Sequence, residues 1–222
     1  MLNGKVRFEK TPIKRGMVKI GVNADSFALF DHSGFIQLGS KDSRIVFEGP
    51  CRIAVNTKIR CVAGELRFGR FVRIGTDSRV ICNGGSIYIG EFSGITFGCT
   101  VMNSSFHYTY DKNKHCYRDR TSAIVIGAYN WIGNQTTILG RCHTKDYTIV
   151  GTGSLLNHDF TREDGEYPML AGRPAKLVAT GIKRVFSPHV EVQVSKLFEN
   201  TMGHVVYLDE IEDHPENLII EM

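Results

Sequence analysis

From Ile126 to Leu156 the chain repeats every six residues. Ile126, Ile132, Ile138, Thr144, Val150 and Leu156 stand six apart, and five of the six are aliphatic. Glycine follows directly at Gly127, Gly133 and Gly151. Four residues after each of these positions up to Val150 comes a small or polar side chain: Asn130, Thr136, Cys142, Thr148, Ser154. A period of six is neither the 3.6 of a helix nor the simple alternation of an isolated strand. It fits a short strand, a corner and another short strand, and fixed short periods of this kind mark stacked coils of parallel β-strands.

The geometry follows from strand dimensions. Three six-residue sides, about eighteen residues, bring the chain back to its start one strand spacing of ~4.8 Å higher. The aliphatic side chain points inward and stacks on its counterparts; only a small residue fits near the crowded corner, and glycine or asparagine suits the corner's backbone. Weaker stretches of the repeat lie upstream, at Ile53 and Ile59 with Thr57 and Ala63 as small partners. It is clearer at Phe68-Gly69, Ile74-Gly75 and Val80, with Ser78 and Gly84 four residues on. At NGGSIY (83–88) the phase slips by three, then resumes at Ile89-Gly90, Ile95 and Val101 with Ser93 and Cys99.

At Asn103 the register stops. SSFHYTYDKNKHCYRDRTS (104–122) holds aromatic and titratable side chains but no aliphatic one, and reads as a loop thrown out from the coil. Loops on a rigid solenoid are where function concentrates. The expected organisation is a β-rich lead-in over 1–50, a coil over 51–180 with a loop at 104–123, and an appendage over 181–222. In the lead-in, KVRFEK and GFIQLGS alternate as strands do. After Leu156 the chain leaves the pattern through NHDFTREDGEYP. In the appendage, Ser187-Pro188 offers an N-cap and a proline at the first helical position. VEVQVSKLFENTM follows as a helix despite its β-branched residues, and such an appendage suits a solenoid that must cap its last rung. The acidic DEIEDHPENLIIEM reads as a strand or a tail.

Composition bounds the function. With 222 residues, 42% of them apolar, the chain can bury a substantial core. A net charge of +4 is too mild for a dedicated nucleic-acid binder, so no nucleic acid is expected as a partner. No apolar signal core and no run of ~18 apolar residues stands in the sequence, which points to the cytoplasm without membrane insertion. The six cysteines form no CxxC pair, and Cys142 falls on a small-residue position as interior filler.

IGAYNWIGNQTTIL, GTGSLL and AGRPAK together resemble the hexapeptide-repeat acyltransferases, whose pattern reads roughly IGxxxWIGxxxxIL, GAGSVV, GNPAK. The likeness covers about residues 60 to 180, most firmly 124 to 178, and is greatest to capsule and exopolysaccharide O-acetyltransferases. It implies an all-β fold, a left-handed parallel β-helix, and a homotrimer with active sites between subunits. It also implies acetyl-CoA as co-substrate and a sugar or surface-polysaccharide precursor as acceptor. Two departures stand out. Asn103, Ser104 and Ser105 occupy positions where acidic residues often precede the family's histidine, and Arg173 replaces the usual Asn of the PAK motif.

The residue types support the same chemistry. Moving an acetyl group from a thioester to a hydroxyl needs a base titrating near neutrality, and His107, just past the point where the repeat breaks, meets that need. The family transfers directly, without a covalent enzyme intermediate. Ser105 or Asn103 could hold the ring's second nitrogen, as could a backbone carbonyl. Tyr108, Tyr110, Asp111, Tyr117, Arg118 and Arg120 suit a sugar, by ring stacking and by hydrogen bonds to hydroxyls. For coenzyme A, the amides of Gly133, Gly151, Thr152 and Gly153 suit pantetheine carbonyls, and Trp131 suits either the acyl pocket or a corner buried in an interface. Arg173, Lys176, Lys183 and Arg184 supply cations for phosphates. His107 and His143, two eighteen-residue turns apart, raise a zinc site with His115. The position expected to supply the third ligand is Thr148, so no metal is expected. The competing readings are acylation of a small acceptor, such as an antibiotic or a nucleotide-linked amino sugar, and a β-helical scaffold without catalysis.

Overall fold

The aliphatic positions of the repeat lie where alternation puts them. Ile126, Ile132, Ile138 and Leu156 are fully buried, and Val150 and Thr144 nearly so. The small partners Asn130, Thr136, Cys142, Thr148 and Ser154 are also without solvent exposure. The structure is a computed structural model that describes residues 5–8, 12, 17–22, 34–199 and 203–213. It is an all-β parallel β-helix whose rungs each have three sides.

The first side stacks Val18–Val22, Cys51–Ala54, Arg73–Ile74, Gly94–Ile95, Trp131–Ile132, Ile149–Val150 and Met169–Gly172 in parallel, and Ala175–Ala179 closes it antiparallel. On the second side lie Phe35–Leu38, the first halves of Lys58–Phe68 and Arg79–Ile89, then Thr100–Met102, Thr137–Leu139 and Leu155–Leu156. The third side holds Lys5–Phe8, Ser43–Phe47, the second halves of the same two long strands, and Ile124–Ile126. Single bridges at His143 and Asp159 extend it. Ser43–Phe47, which the sequence reading assigned to the lead-in, thus pairs in register with Gly64–Phe68 of the coil. NHDFTREDGEYP stays with the coil as well, for Asp159 bridges to His143 and Phe160 is 1% exposed.

The phase slip has a geometric cause. Ile53, Ile74 and Ile95 are register partners in rungs of 21 residues, whereas Ile132 and Val150 pair across 18. The three extra residues round the corner between the second and third sides, where Gly64, Gly84 and Gly85 take positive φ. The two long strands bend there instead of breaking.

Of the two reasons expected for glycine after the aliphatic positions, crowding holds and corner backbone does not. A Cβ at Gly69, Gly90 or Gly127 would lie 2.5 Å from backbone of the neighbouring rung, so close approach, not backbone conformation, selects glycine there. The left-handed positions fall two residues later, and most carry side chains. At one corner they are Asn56, Asp77 and Gln135, with Gly98 and Gly153 in the same place on other rungs; at another, Phe71, Phe92, Tyr129, Tyr147 and Tyr167. These five aromatics form a ladder, with successive centroids 4.6 to 5.5 Å apart. A left-handed non-glycine residue costs ~1–2 kcal/mol. Each ring contact returns about 0.5–1.5 kcal/mol, and the amides of Phe92, Tyr129 and Tyr147 each donate to a carbonyl of the preceding rung. Phe92 is 6% exposed within this ladder, which covers it without a partner subunit.

Residues 183–222 form a second compact unit. Its helix, Pro188–Glu199, begins at the expected proline. The Asp213 carboxylate accepts the N–H groups of Phe186 (2.6 Å) and Ser187 (2.8 Å), which serves the positive end of the helix. Residues 200–202 of the expected helix and 214–222 of the expected strand or tail lie outside the described residues. Among the described residues no helix is long and apolar enough to cross a membrane.

Candidate active site

The break in the repeat is an ordered β-hairpin, not an open loop. Thr109–Asp111 pairs antiparallel with Cys116–Arg118, and Ser104 bridges to Thr121 at the stem. Two further bonds zip the base: Ser105 N–H to the Arg120 carbonyl (2.9 Å) and Ser122 N–H to the Asn103 carbonyl (3.0 Å). The hairpin leaves the coil between the second and third sides, at the corner where the earlier rungs carry their extra residues.

Asn103 fastens that stem to the rung below. Its side chain is 1% exposed; Oδ1 accepts the Asn83 N–H (2.9 Å) and Nδ2 donates to the Gly84 carbonyl (2.6 Å). Asn103 therefore does not orient the imidazole of His107, because both ends of its amide are spent on the coil. Ser105 does not either: its hydroxyl donates to the backbone carbonyl of His107, 2.9 Å away. The His107 ring is exposed and, among the described residues, takes part in no hydrogen bond or ion pair.

The six hairpin residues expected to contact a sugar are largely engaged with one another. Arg118 pairs with Asp111, whose carboxylate also caps the turn by accepting the amides of Asn113 and Lys114. The Arg118 guanidinium, helped by those amides, holds the Asp111 carboxyl below the usual carboxylate range. Tyr110 and Tyr117 pack at 4.9 Å, and Arg120 sits 5.0 Å over the Tyr108 ring. Tyr108 and Tyr117 nevertheless remain 63% and 78% exposed, leaving ring faces open on the outside of the hairpin.

The backbone donors expected for coenzyme A are used up inside the coil. The amide of Gly133 donates to Val150 O, that of Gly151 to Leu170 O and that of Gly153 to Asn134 O, each at 2.8 Å. Among the four amides named, Thr152 alone makes no such bond within the described residues. Trp131 is 40% exposed on the outer face of the first side. Arg173 lies at the exposed turn between Met169–Gly172 and Ala175–Ala179, where it also donates to the Gly153 carbonyl (3.2 Å), and Lys176 is exposed on the second of these strands. Lys183 and Arg184 belong to the other unit; Lys183 pairs with Glu210 at 3.0 Å and Arg184 stacks on Phe186. These four cations are thus not an undivided set of open phosphate ligands.

Five cysteines are buried and all six are free. Burial pushes the thiols of Cys51 and Cys142 up to about 12. Among the described residues no three His, Cys, Asp or Glu side chains converge as a metal site. Sequence reasoning missed the aromatic ladder, although its signal is present: an aromatic stands three residues after Phe68, Ile89, Ile126 and Thr144.

The chain matches no protein-family model and no curated protein sequence. Its fold resembles solved structures. The polySia-specific acetyltransferase NeuO superposes with a TM-score of 0.63 at 18% identity, over 74% of this chain and 78% of that one. The polysialic acid O-acetyltransferase OatWY superposes at 0.54 and 17% identity, over 88% and 99%. A variant of the N-acyltransferase AntD from Bacillus cereus, in complex with dTDP and coenzyme A, superposes at 0.50 and 13% identity, over 88% and 91%. The parallel β-helix of this chain is the fold found in these acyltransferases.

Proposed function

We propose that this protein is an acyltransferase that moves an acetyl group from acetyl-CoA to a hydroxyl of a sugar or surface-polysaccharide precursor. His107 acts as general base in a direct transfer. The observation that carries this reading is the uncommitted imidazole of His107 on a hairpin anchored to the coil by Asn103. The solved structures of like fold support it, since they are described as acetyl- and acyltransferases and one is a coenzyme A complex. In the reaction, the imidazole takes the acceptor's hydroxyl proton as the oxygen bonds to the thioester carbonyl carbon. The carbon–sulfur bond then breaks, and the imidazolium returns the proton to the leaving thiolate. General-base help of this kind contributes about 10²–10⁴-fold.

Arg173 and Lys176 are the cations suited to the phosphates, the Thr152 amide to a pantetheine carbonyl, and Trp131 to the acyl end. Tyr108 and Tyr117 offer aromatic faces to a sugar ring. A homotrimer with His107 facing a neighbouring coil fits the exposure of that ring and of Trp131. The free thiols suit a reducing, cytoplasmic setting.

The test is calorimetric acetyl-CoA binding together with thiol release, for wild type and His107→Ala, in a Cys116→Ser background that removes the exposed thiol. Binding by both with turnover by wild type alone is the expected result. Equal turnover removes His107 from the chemistry, and binding by neither favours a scaffold without catalysis.

A further inference from the structure

The outer face of the second side carries three cations on two adjacent rungs. Lys58 and Arg60 lie on one strand two residues apart, so both point outward. Arg79 on the next rung is the register partner of Lys58. Two positive side chains thus stand one strand spacing apart, ~4.8 Å at the backbone, a like-charge pair that works against the sheet. Among the described residues none of the three takes part in an ion pair or a side-chain hydrogen bond. The nearby Asp77 carboxylate is engaged by Asn56.

The third side of the same rungs is built the opposite way. There Arg44 meets Glu65 at 3.2 Å and Arg67 meets Glu48 at 3.0 Å and Glu65 at 2.9 Å, and at the turn that follows Arg70 pairs with Glu91. Among the described residues, Arg44, Arg67 and Arg70 are thus neutralised there, whereas Lys58, Arg60 and Arg79 on the neighbouring face have no ion-pair partner. Around the corner on the first side, Arg52 and Arg73 are again in register, and the buried Nε of Arg52 has no hydrogen-bond partner. The face bearing Lys58, Arg60 and Arg79 continues upward through Thr100–Met102, the strand that runs into Asn103 and the hairpin of His107.

We propose that Lys58, Arg60 and Arg79 form a docking track for an acidic polysaccharide, one with repeated carboxylates or phosphates, that holds one part of the acceptor while another reaches His107. This rests on the acyltransferase reading given above. An extended polyanion would supply the counter-charges the sheet lacks, and a track on the rungs below the hairpin leaves the reacting sugar free to turn.

The test measures retention of polygalacturonate, neutral dextran and single-stranded DNA by three proteins: wild type, His107→Ala, and the triple variant Lys58→Gln, Arg60→Gln, Arg79→Gln. Wild type and His107→Ala should bind polygalacturonate alike, weakening about tenfold between low and moderate salt as screening sets in, and should not retain dextran. The triple variant should bind at least ~10-fold more weakly, with a melting temperature unchanged or raised because the like-charge pair is gone. The track is overturned by undiminished binding in the triple variant, by equal retention of dextran, or by tighter binding of DNA than of polygalacturonate. Its fate is separable from that of the chemistry. Normal binding without acetyl-CoA turnover would leave the track standing and remove the transferase, whereas turnover on an acidic acceptor that ignores the triple variant would do the reverse.

Discussion

In the coil, Ile87 pairs with Leu66 on the rung below and Ile124 on the rung above, and all three are fully buried. In the hairpin, Tyr110 meets Tyr117 across a two-stranded ribbon, and both are exposed. Coil residues are fixed by neighbours far away in sequence. Hairpin residues are fixed by each other and by the few bonds at the stem. The difference separates stability from chemistry: substitutions in the coil should move the melting temperature, and those in the hairpin should move activity alone.

His107→Ala should give the largest effect, a fall in turnover of about 10²–10⁴-fold with an unchanged melting temperature. A lowered melting temperature would mean that the two regions are not independent. Next comes the coil's own weak point. Gly90→Ala would put a Cβ 2.5 Å from the Ala128 nitrogen and the Gly127 carbonyl carbon, backbone atoms that cannot retreat without opening two rungs, at a cost of about 3 kcal/mol or more. Gly153→Ala meets nothing within 4 Å and pays only for its φ of 72°, about 1–2 kcal/mol. Urea unfolding of the two variants ranks close approach against backbone conformation.

Asn103→Ala is the substitution that should cross the divide. It orphans the Asn83 amide and the Gly84 carbonyl, costing about 2 kcal/mol, and frees the hairpin stem. Turnover should fall while coenzyme A affinity holds, and a loss of stability without that split would leave Asn103 purely structural. Thiol accessibility gives a milder contrast. Cys116 in the hairpin should react with a disulfide reagent at pH 8, whereas Cys51 and Cys142, raised to about 12 by burial, stay protonated until the coil unfolds. The smallest effect is acid loosening of the hairpin. Arg118 favours the ionised form of Asp111, so its contribution is fully present above the ordinary carboxylate value of 3.8 and is lost as pH falls below it. Tyrosine fluorescence should report that change before the coil melts.

The part of the coil legible in the sequence was the part where one local rule governs each position. The aliphatic run from Ile126 to Leu156 and its small partners all occupy the interior. The 21-residue rungs were hidden because the three extra residues at Gly84 and Gly85 register as a slip, and only pairing across rungs shows that Gly64 does the same work one rung earlier. Ser43–Phe47 was placed in the lead-in because a single side of a rung looks like any short strand. Of the candidate site, the excursion that carries His107 was visible from where the repeat breaks. The consumption of the Gly133, Gly151 and Gly153 amides was not, since each acceptor lies on another rung or corner. The same limit hid the self-pairing of Asp111 with Arg118, which depends on the hairpin's register.

The antiparallel return of Ala175–Ala179 bears on how this molecule behaves at high concentration. A stack of parallel strands is a template at each end, and two copies of one coil could in principle grow end on end into a fibre. Growth would require the three sides to be extended together with one polarity. Reversing the last strand of the first side presents a newcomer with mismatched donors and acceptors on that side. Four residues of AGRPAK and the strand beyond them thereby oppose end-on growth of parallel strands on that side.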